Sequence, residues 1–112
     1  EGIHEYCRPE RALIEGREGR LYRNACPARL ESEFLYYYRA GKRVYEAEYY
    51  VERLSSEQQQ LETQLRKEKD TERRKQLRRE IRNLDHQLRD ARRHLIREEE
   101  NLPSPYGTFS LY

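Results

Sequence analysis

Residues 66–76 read RKEKDTERRKQ and contain no apolar side chain. On both sides of this stretch apolar residues recur at heptad spacing, and the two sets are mirror images about Thr71. An antiparallel helical hairpin requires that symmetry, because one heptad seam must meet the other in reverse order. We therefore predict a coiled-coil-like helical hairpin with its turn near residues 68–72. Its first seam contains Ala47, Val51, Leu54, Gln58, Leu61 and Leu65, and its second contains Leu77, Ile81, Leu84, Leu88, Ala91 and Leu95.

The alternative to the hairpin is one uninterrupted helix that pairs with a second chain and makes a homo-oligomer. A continuous seam would have to cross the polar stretch, but Leu65 and Leu77 are twelve residues apart, which is neither seven nor eleven. Asp70 and Thr71 are also good N-cap residues for a new helix, with Glu72 in its first turn. These features favour the hairpin over the dimer.

Upstream of the hairpin, the pattern predicts a long helix that begins at Pro27, where proline is well suited to the first helical position. Its apolar face is predicted from spacings of three and four residues. We assign to this face Leu30, Phe34, Tyr37 or Tyr38, Gly41, Tyr45, Glu48 and Val51. The fold class is therefore all-α, with residues 27–98 forming the long helix and the hairpin.

Residues 1–26 carry turn signals at Pro9, Gly16, Gly19 and Asn24, so we predict a loop-rich segment that packs on the long helix. Residues 99–112 read ENLPSPYGTFSLY from Glu100 onward, and their prolines predict an extended aromatic tail. The chain starts at Glu1 rather than Met, and we expect it to be a processed product.

The two cysteines, Cys7 and Cys26, enclose eighteen residues. A disulfide would close this loop and stabilise the fold by about 3 kcal/mol on the chain-entropy model. A zinc site would need His4 together with distant His86 or His94, and the paired spacing of zinc ligands is missing. A catalytic thiol would need a positioned base, for which the sequence has no signal. We favour the disulfide, which indicates an oxidising compartment.

The composition points to binding rather than catalysis. Charged residues make up 39% of the chain and apolar residues 35%, with a net charge of +2 and ten tyrosines. The acids alternate with bases at helical spacing, as on a solvated face, and no phosphate loop or metalloprotease motif is present. We expect no enzymatic activity, no metal and no cofactor. The tyrosines suit interfaces as well as thin helical cores. The candidate partner-binding residues are Tyr37, Tyr38, Tyr45, Tyr49, Tyr50, Phe109 and Tyr112.

The predicted hairpin tip is strongly basic. Residues 66–82 hold nine Lys or Arg against four Asp or Glu. Such a patch suits lipopolysaccharide, anionic lipid or nucleic acid, of which nucleic acid is the least expected in an oxidising compartment. The candidate polyanion-binding residues are Arg73, Arg74, Lys75, Arg78, Arg79 and Arg82.

The first half of the chain resembles a family of small, uncharacterised bacterial envelope lipoproteins that is known only as a domain of unknown function. The resemblance rests on Tyr6–Cys7, Gly16, Gly19, Tyr22, Cys26–Pro27, Phe34, Tyr38, Gly41 and Tyr45. It implies an exported protein, periplasmic and associated with the outer membrane of a Gram-negative bacterium, with a lipid anchor on the precursor that this chain lacks. It implies no activity. Together with the composition, it leads us to expect a structural or interaction protein whose partners are other envelope proteins.

Overall fold

The computed structural model describes residues 3–105. Helix α1 spans Ile3–Tyr6, α2 spans Pro9–Arg17, α3 spans Ala28–Lys67 and α4 spans Thr71–Glu100, and this described range contains no strand. The predicted all-α class is confirmed. None of the helices among these residues is long and apolar enough to cross a membrane. Phe109 and Tyr112, which were predicted to bind partners, lie outside the described residues.

The chain divides into two compact units. The first comprises residues up to Glu46 together with those from Ile96 onward, and the second is Ala47–Leu95. Helix α3 contributes residues to both. The sequence predicted a different division, into the consecutive segments 1–26, 27–98 and 99–112. That division is based on sequence order and not on contacts between residues, and it stays a prediction.

The core of the first unit is aromatic. Phe34 is fully buried, and its ring lies 5.2 Å from that of Tyr6 and 5.1 Å from that of Tyr22, measured between ring centroids. The same cluster contains the buried residues Cys7, Ala12, Cys26 and Tyr38. A segment with few aliphatic residues therefore obtains its burial from large rings, each of which removes much apolar surface from water.

Helices α2 and α3 approach each other closely at two glycines. A Cβ on Gly16 would overlap the Tyr38 carbonyl oxygen and lie 2.9 Å from the Lys42 nitrogen. A Cβ on Gly41 would lie 2.6 Å from the Leu13 carbonyl oxygen. The backbones can approach this far only because both positions lack a side chain.

This close approach corrects part of the sequence interpretation. Residues 1–26 contain more helix than predicted, because Pro9 begins α2 and Gly16 lies within it. Gly19, with φ of 74°, and Asn24, with φ of 57°, do occupy left-handed turn conformations. On α3 the predicted apolar face is buried at Phe34, Tyr38 and Gly41 but is wrong at Tyr45, which is 37% exposed, whereas the neighbouring Val44 is fully buried.

The second unit contains an apolar cluster that joins α3 and α4. Leu54 of α3 shares this cluster with Leu84, Leu88 and Ala91 of α4, and Val51 and Leu61 pack against it. Every one of these residues belongs to the predicted seams. The side-chain amide of Gln58, another seam residue, donates a hydrogen bond to Asp85 Oδ1.

Residues 68–70 connect α3 to α4, and two polar side chains organise the connection. Asp70 caps α4, because its Oδ2 accepts a hydrogen bond from the Arg73 backbone N–H at 2.8 Å. Arg74 reaches back from α4 and donates from Nη1 to the carbonyl oxygens of Leu65, at 2.7 Å, and Glu68, at 2.9 Å. One guanidinium thus donates to the Leu65 carbonyl oxygen in the last turn of α3, which also accepts from the Glu68 N–H at 3.3 Å, and to the carbonyl oxygen of Glu68, the residue after the helix.

Candidate functional site

The disulfide predicted from the sequence is confirmed. Cys7 and Cys26 are bonded to each other, with their Cα atoms 5.8 Å apart. Because both sulfurs are used in this bond, neither is available as a thiolate ligand or nucleophile. Among the side chains that the structure describes, those of residues 5–105, no group of three or more His, Cys, Asp or Glu is placed to hold a metal ion.

The disulfide is one of several restraints on the loop between α2 and α3. The Arg20 N–H donates to the Glu15 carbonyl oxygen at 3.0 Å, and the Tyr38 hydroxyl donates to the Arg20 carbonyl oxygen. The Tyr22 hydroxyl donates to Glu31 Oε2 at 2.8 Å and accepts from the Cys26 N–H at 3.2 Å. These bonds lie on both sides of Leu21, so the backbone around that residue is held in one arrangement.

The restrained loop forms one side of an open cleft of about 500 Å³. Leu21 is 70% exposed there, a larger exposed fraction than that of any other large apolar side chain described. Arg20 and Arg23 flank it and are also exposed. The cleft is lined by Tyr6, Glu15, Arg20, Leu21, Arg23 and Ala25. Leu21 is thus an exposed apolar side chain on a restrained loop, with exposed arginines at positions 20 and 23.

Burial affects the ionisable side chains in and beside the cleft. Glu15 is only 7% exposed, and the Arg11 guanidinium Nε lies 3.6 Å from its Oε2. Burial raises the pKa of the Tyr6 phenol above its usual value, and the nearby Glu15 carboxylate raises it further. Burial likewise raises the pKa of Tyr22. Both phenols therefore stay neutral at physiological pH.

The predicted partner-binding tyrosines do not form one surface. Tyr38 is 5% exposed and packs in the core of the first unit, so it offers no area to a partner. Tyr37 is half-buried and donates to the Ser104 carbonyl oxygen at 3.4 Å. Tyr45 is partly exposed and lies where a Gly19 side chain would be. Tyr49 and Tyr50 are exposed in the second unit.

Sequence reasoning missed Leu21 and Tyr36, which is 60% exposed. A signal for Leu21 was present, because it follows Gly19–Arg20 in a segment of turn residues and has no apolar residue three or four positions before it. Tyr36 had no distinguishing signal, since it is one of three consecutive tyrosines and only the helix orientation separates them.

The predicted polyanion-binding residues fall into two groups. Arg73 and Arg74 are half-buried and their guanidinium groups are engaged within the chain. Arg73 donates to the side chains of Gln76 and Gln64, and Arg74 donates to the Leu65 and Glu68 carbonyl oxygens. Lys75 is exposed, and its Nζ lies 3.7 Å from Glu72 Oε2. Arg78, Arg79 and Arg82 are exposed, and in the described part of the chain none of them forms an ion pair.

Comparison with known proteins gives one match. Residues 1–43 match a family described as a protein of unknown function (DUF2799). This range contains both cysteines, the loop, the cleft and both close-contact glycines, so the resemblance to a domain of unknown function is confirmed for that part of the chain. No curated protein matches the chain. No solved structure matches it either.

Proposed function

We propose that this chain is a non-enzymatic interaction protein of the bacterial cell envelope, an accessory subunit or scaffold that binds another protein through the cleft beside Leu21. The observation that carries the proposal is the exposure of Leu21 on a loop restrained by a disulfide and four hydrogen bonds. Binding to a rigid loop avoids the entropy cost of ordering it. That saving makes a preorganised apolar side chain effective as an anchor.

The charges around Leu21 indicate the kind of partner. Arg20 and Arg23 are exposed on either side, and the Arg20 Nε is 2.9 Å from Glu18 Oε1. A protein segment that presents an apolar side chain between carboxylates would complement this arrangement in shape and charge. The buried Glu15 at the back of the cleft would oppose a second carboxylate there and so restrict the orientation of the segment.

An envelope location is supported by the disulfide, because such bonds persist in the periplasm and are rare in the cytosol. The resemblance of the first half to small envelope lipoproteins points the same way. We propose that the protein is exported and periplasmic, that it is associated with the outer membrane of a Gram-negative bacterium, and that a lipid anchor on the precursor supplies this association.

For the second unit we propose an antiparallel, coiled-coil-like helical hairpin that serves as a spacer or docking arm. Support comes from the cluster of Leu54 with Leu84 and Leu88, all of them seam residues, and from the Arg74 bonds to the end of α3. A homodimer in which the seams join two chains is the alternative. Sedimentation equilibrium separates the two, because a hairpin monomer keeps the same mass at every concentration.

Site-specific photocrosslinking in intact cells tests the interaction. A photoreactive amino acid at position 21 is expected to give adducts with envelope proteins, and Leu21→Asp should weaken capture of the same protein by the purified chain. Position 32 is the matched control, because Ser32 is exposed in the same unit outside the cleft. Identical adducts from both positions, no adduct from position 21, or adducts with cytosolic proteins alone would contradict the proposal.

A second candidate function is polyanion binding through the tip formed by residues 66–82. The exposure of Arg78, Arg79 and Arg82 favours it. The use of Arg73 and Arg74 in bonds within the chain weakens it, because those two cations are less available to a ligand. A steep loss of binding to heparin with added salt, reduced by Arg79→Gln, would support it.

A further inference from the structure

The basic character of the second unit extends well beyond the tip. Along α4, seven exposed basic residues follow each other at intervals of one, three or four positions. At about 3.6 residues per turn, these intervals place all seven within an arc of roughly 100° on one side of the helix. We call this set the basic stripe; it consists of Lys75, Arg78, Arg79, Arg82, His86, Arg89 and Arg93.

The stripe lies on the side of α4 that faces away from α3. The opposite side of the helix carries the buried residues Leu77, Leu84, Leu88 and Ala91. Between positions 75 and 93, every residue that falls in the arc of the stripe is Lys, Arg or His. With a rise of 1.5 Å per residue, the stripe is about 27 Å long and runs along α4.

The acids of this part of α4 lie beside the stripe and are mostly engaged. Asp85 accepts a hydrogen bond from Gln58, and Glu80 is half-buried with its Oε2 4.0 Å from Arg73 Nη1. Asp90 neutralises one end of the stripe, because its Oδ1 is 3.4 Å from Arg93 Nη2. Arg78, Arg79, Arg82 and Arg89 have no acidic partner among residues 3–105, so their charges are available to an external anion.

We propose that the basic stripe binds the phosphate groups of an anionic lipid surface, with α4 lying along that surface. The proposal rests on the envelope location proposed above, which brings the protein close to such lipids. Five of the seven residues are arginines, whose planar guanidinium groups bind phosphate oxygens in pairs. A straight row of cations on one side of a rod can contact many headgroups of a flat surface at once.

Other polyanions fit the stripe less well. It contains no Phe, Tyr or Trp, and with His86 as its one aromatic ring it offers no row of rings on which successive bases of a single strand could stack. Double-stranded DNA admits one helix into its major groove, which is about 12 Å wide, but the inner side of α4 is packed on α3. The stripe also contains no large apolar side chain, which indicates binding on the membrane surface without insertion.

Vesicle cosedimentation tests the proposal with the full oxidised chain. The vesicles contain phosphatidylglycerol and phosphatidylethanolamine, or phosphatidylcholine alone. The stripe variant is Arg82→Gln/Arg89→Gln and the matched control is Arg29→Gln/Arg39→Gln, which are exposed positions in the first unit. Both variants lower the formal net charge from +2 to 0. Circular dichroism verifies that both are folded.

The chain is expected to bind the anionic vesicles and not phosphatidylcholine. Each removed arginine should weaken this binding about fivefold, so the stripe variant should lose about 25-fold and the control much less. Soluble inorganic phosphate at the same phosphate concentration should compete poorly, because it cannot engage the whole row.

Several results would overturn the proposal. They are equal losses in the two variants, equal binding to phosphatidylcholine, full competition by free phosphate, or tighter binding to duplex DNA or to an acidic protein than to the vesicles. Failure here would leave the crosslinking at position 21 unaffected, so the two proposals fail separately.

Discussion

Gly16 and Gly41 each lie directly against the backbone of the facing helix. A Cβ on Gly41 would lie 2.9 Å from the Arg17 backbone nitrogen as well as close to the Leu13 carbonyl oxygen. The obstacles are backbone atoms, which cannot rotate away as a flexible side chain can. Replacing either glycine with a residue that has a Cβ would therefore force α2 and α3 apart.

Gly16→Ala is expected to lower the free energy of unfolding by about 1–3 kcal/mol, as overpacking does. The sign is the test, because glycine to alanine inside an unobstructed helix raises stability by roughly 1 kcal/mol. Urea denaturation measures the change. Ser32→Ala at an exposed position of α3 is the control and should stay within about 0.5 kcal/mol of the wild type. A Gly16→Ala protein more stable than the wild type would refute the close approach.

The tyrosines of the first unit link its stability to alkaline pH. Burial raises the pKa of Tyr22 and of Tyr6 above the usual value. In the unfolded chain these phenols ionise near pH 10. The contribution of these neutral phenols to the free energy of unfolding is therefore complete below about pH 10. It is lost as the pH rises through their higher pKa in the folded protein.

Measured between pH 8 and 12, the free energy of unfolding should fall above about pH 10, and it should fall less steeply in Tyr22→Phe. At neutral pH the same variant should lose about 2 kcal/mol, because its bonds to Glu31 and to the Cys26 N–H are removed. Tyr36→Phe, at an exposed ring, is the control at neutral pH and should stay within about 0.5 kcal/mol of the wild type. Identical slopes in the wild type and in Tyr22→Phe would contradict the assignment.

At the scale of the helices, Arg74 connects the first turn of α4 to the end of α3. Its guanidinium bonds two carbonyl oxygens, whereas Asp70 caps the other helix. Lysine would replace it only in part, because both bonds come from one nitrogen, Nη1, and the shorter lysine side chain would not bring its ammonium group to the same position.

Arg74→Ala is expected to destabilise the protein by about 1–2 kcal/mol, since it leaves two carbonyl groups without this donor at a half-buried site. Arg74→Lys should recover at most part of the loss. The matched control is Arg79→Ala, five residues further along α4 and exposed, with an expected change below about 0.5 kcal/mol. Thermal unfolding measures all three, and equal losses from the two alanine variants would show that Arg74 has no special role.

The sequence predicted the buried positions of α4, because apolar residues at heptad spacing lie on one face of a helix and this is the face that the helix buries. Leu77, Leu84, Leu88 and Ala91 are all buried as expected. The face of α3 in the first unit was less predictable. Val44 and Tyr45 both fit the helical spacing, and the spacing within α3 does not decide which of the two is buried.

The candidate site was harder to predict than the helices. Tyrosines attract attention as interface residues, but Tyr38 is needed for the core because the segment has few aliphatic residues. Leu21 is exposed only because a disulfide and several hydrogen bonds hold its loop, and those bonds join residues far apart in the sequence. Long-range bonds of this kind leave no local pattern.

At the scale of the whole molecule, the disulfide lies in one of the two units. Cys7→Ser/Cys26→Ser should lower the stability of the first unit by about 3 kcal/mol, the value for a loop of this length. Hydrogen exchange read by mass spectrometry should show lost protection up to Glu46 and retained protection within Ala47–Leu95. The control is the oxidised wild type in the same buffer. An equal loss in both units would mean that they unfold as one.

The aromatic core also gives the first unit its own optical signal. The chain has no tryptophan, and three tyrosine rings, Tyr6, Tyr22 and Tyr38, surround Phe34. The tyrosines of the second unit, Tyr49 and Tyr50, are exposed to solvent, where side chains contribute little near-ultraviolet dichroism. Near-ultraviolet dichroism thus follows the disulfide-bonded unit, whereas the far-ultraviolet signal is dominated by the two long helices. Thermal unfolding of one sample, followed in both wavelength ranges, can therefore distinguish stepwise from concerted unfolding of the two units without any added label.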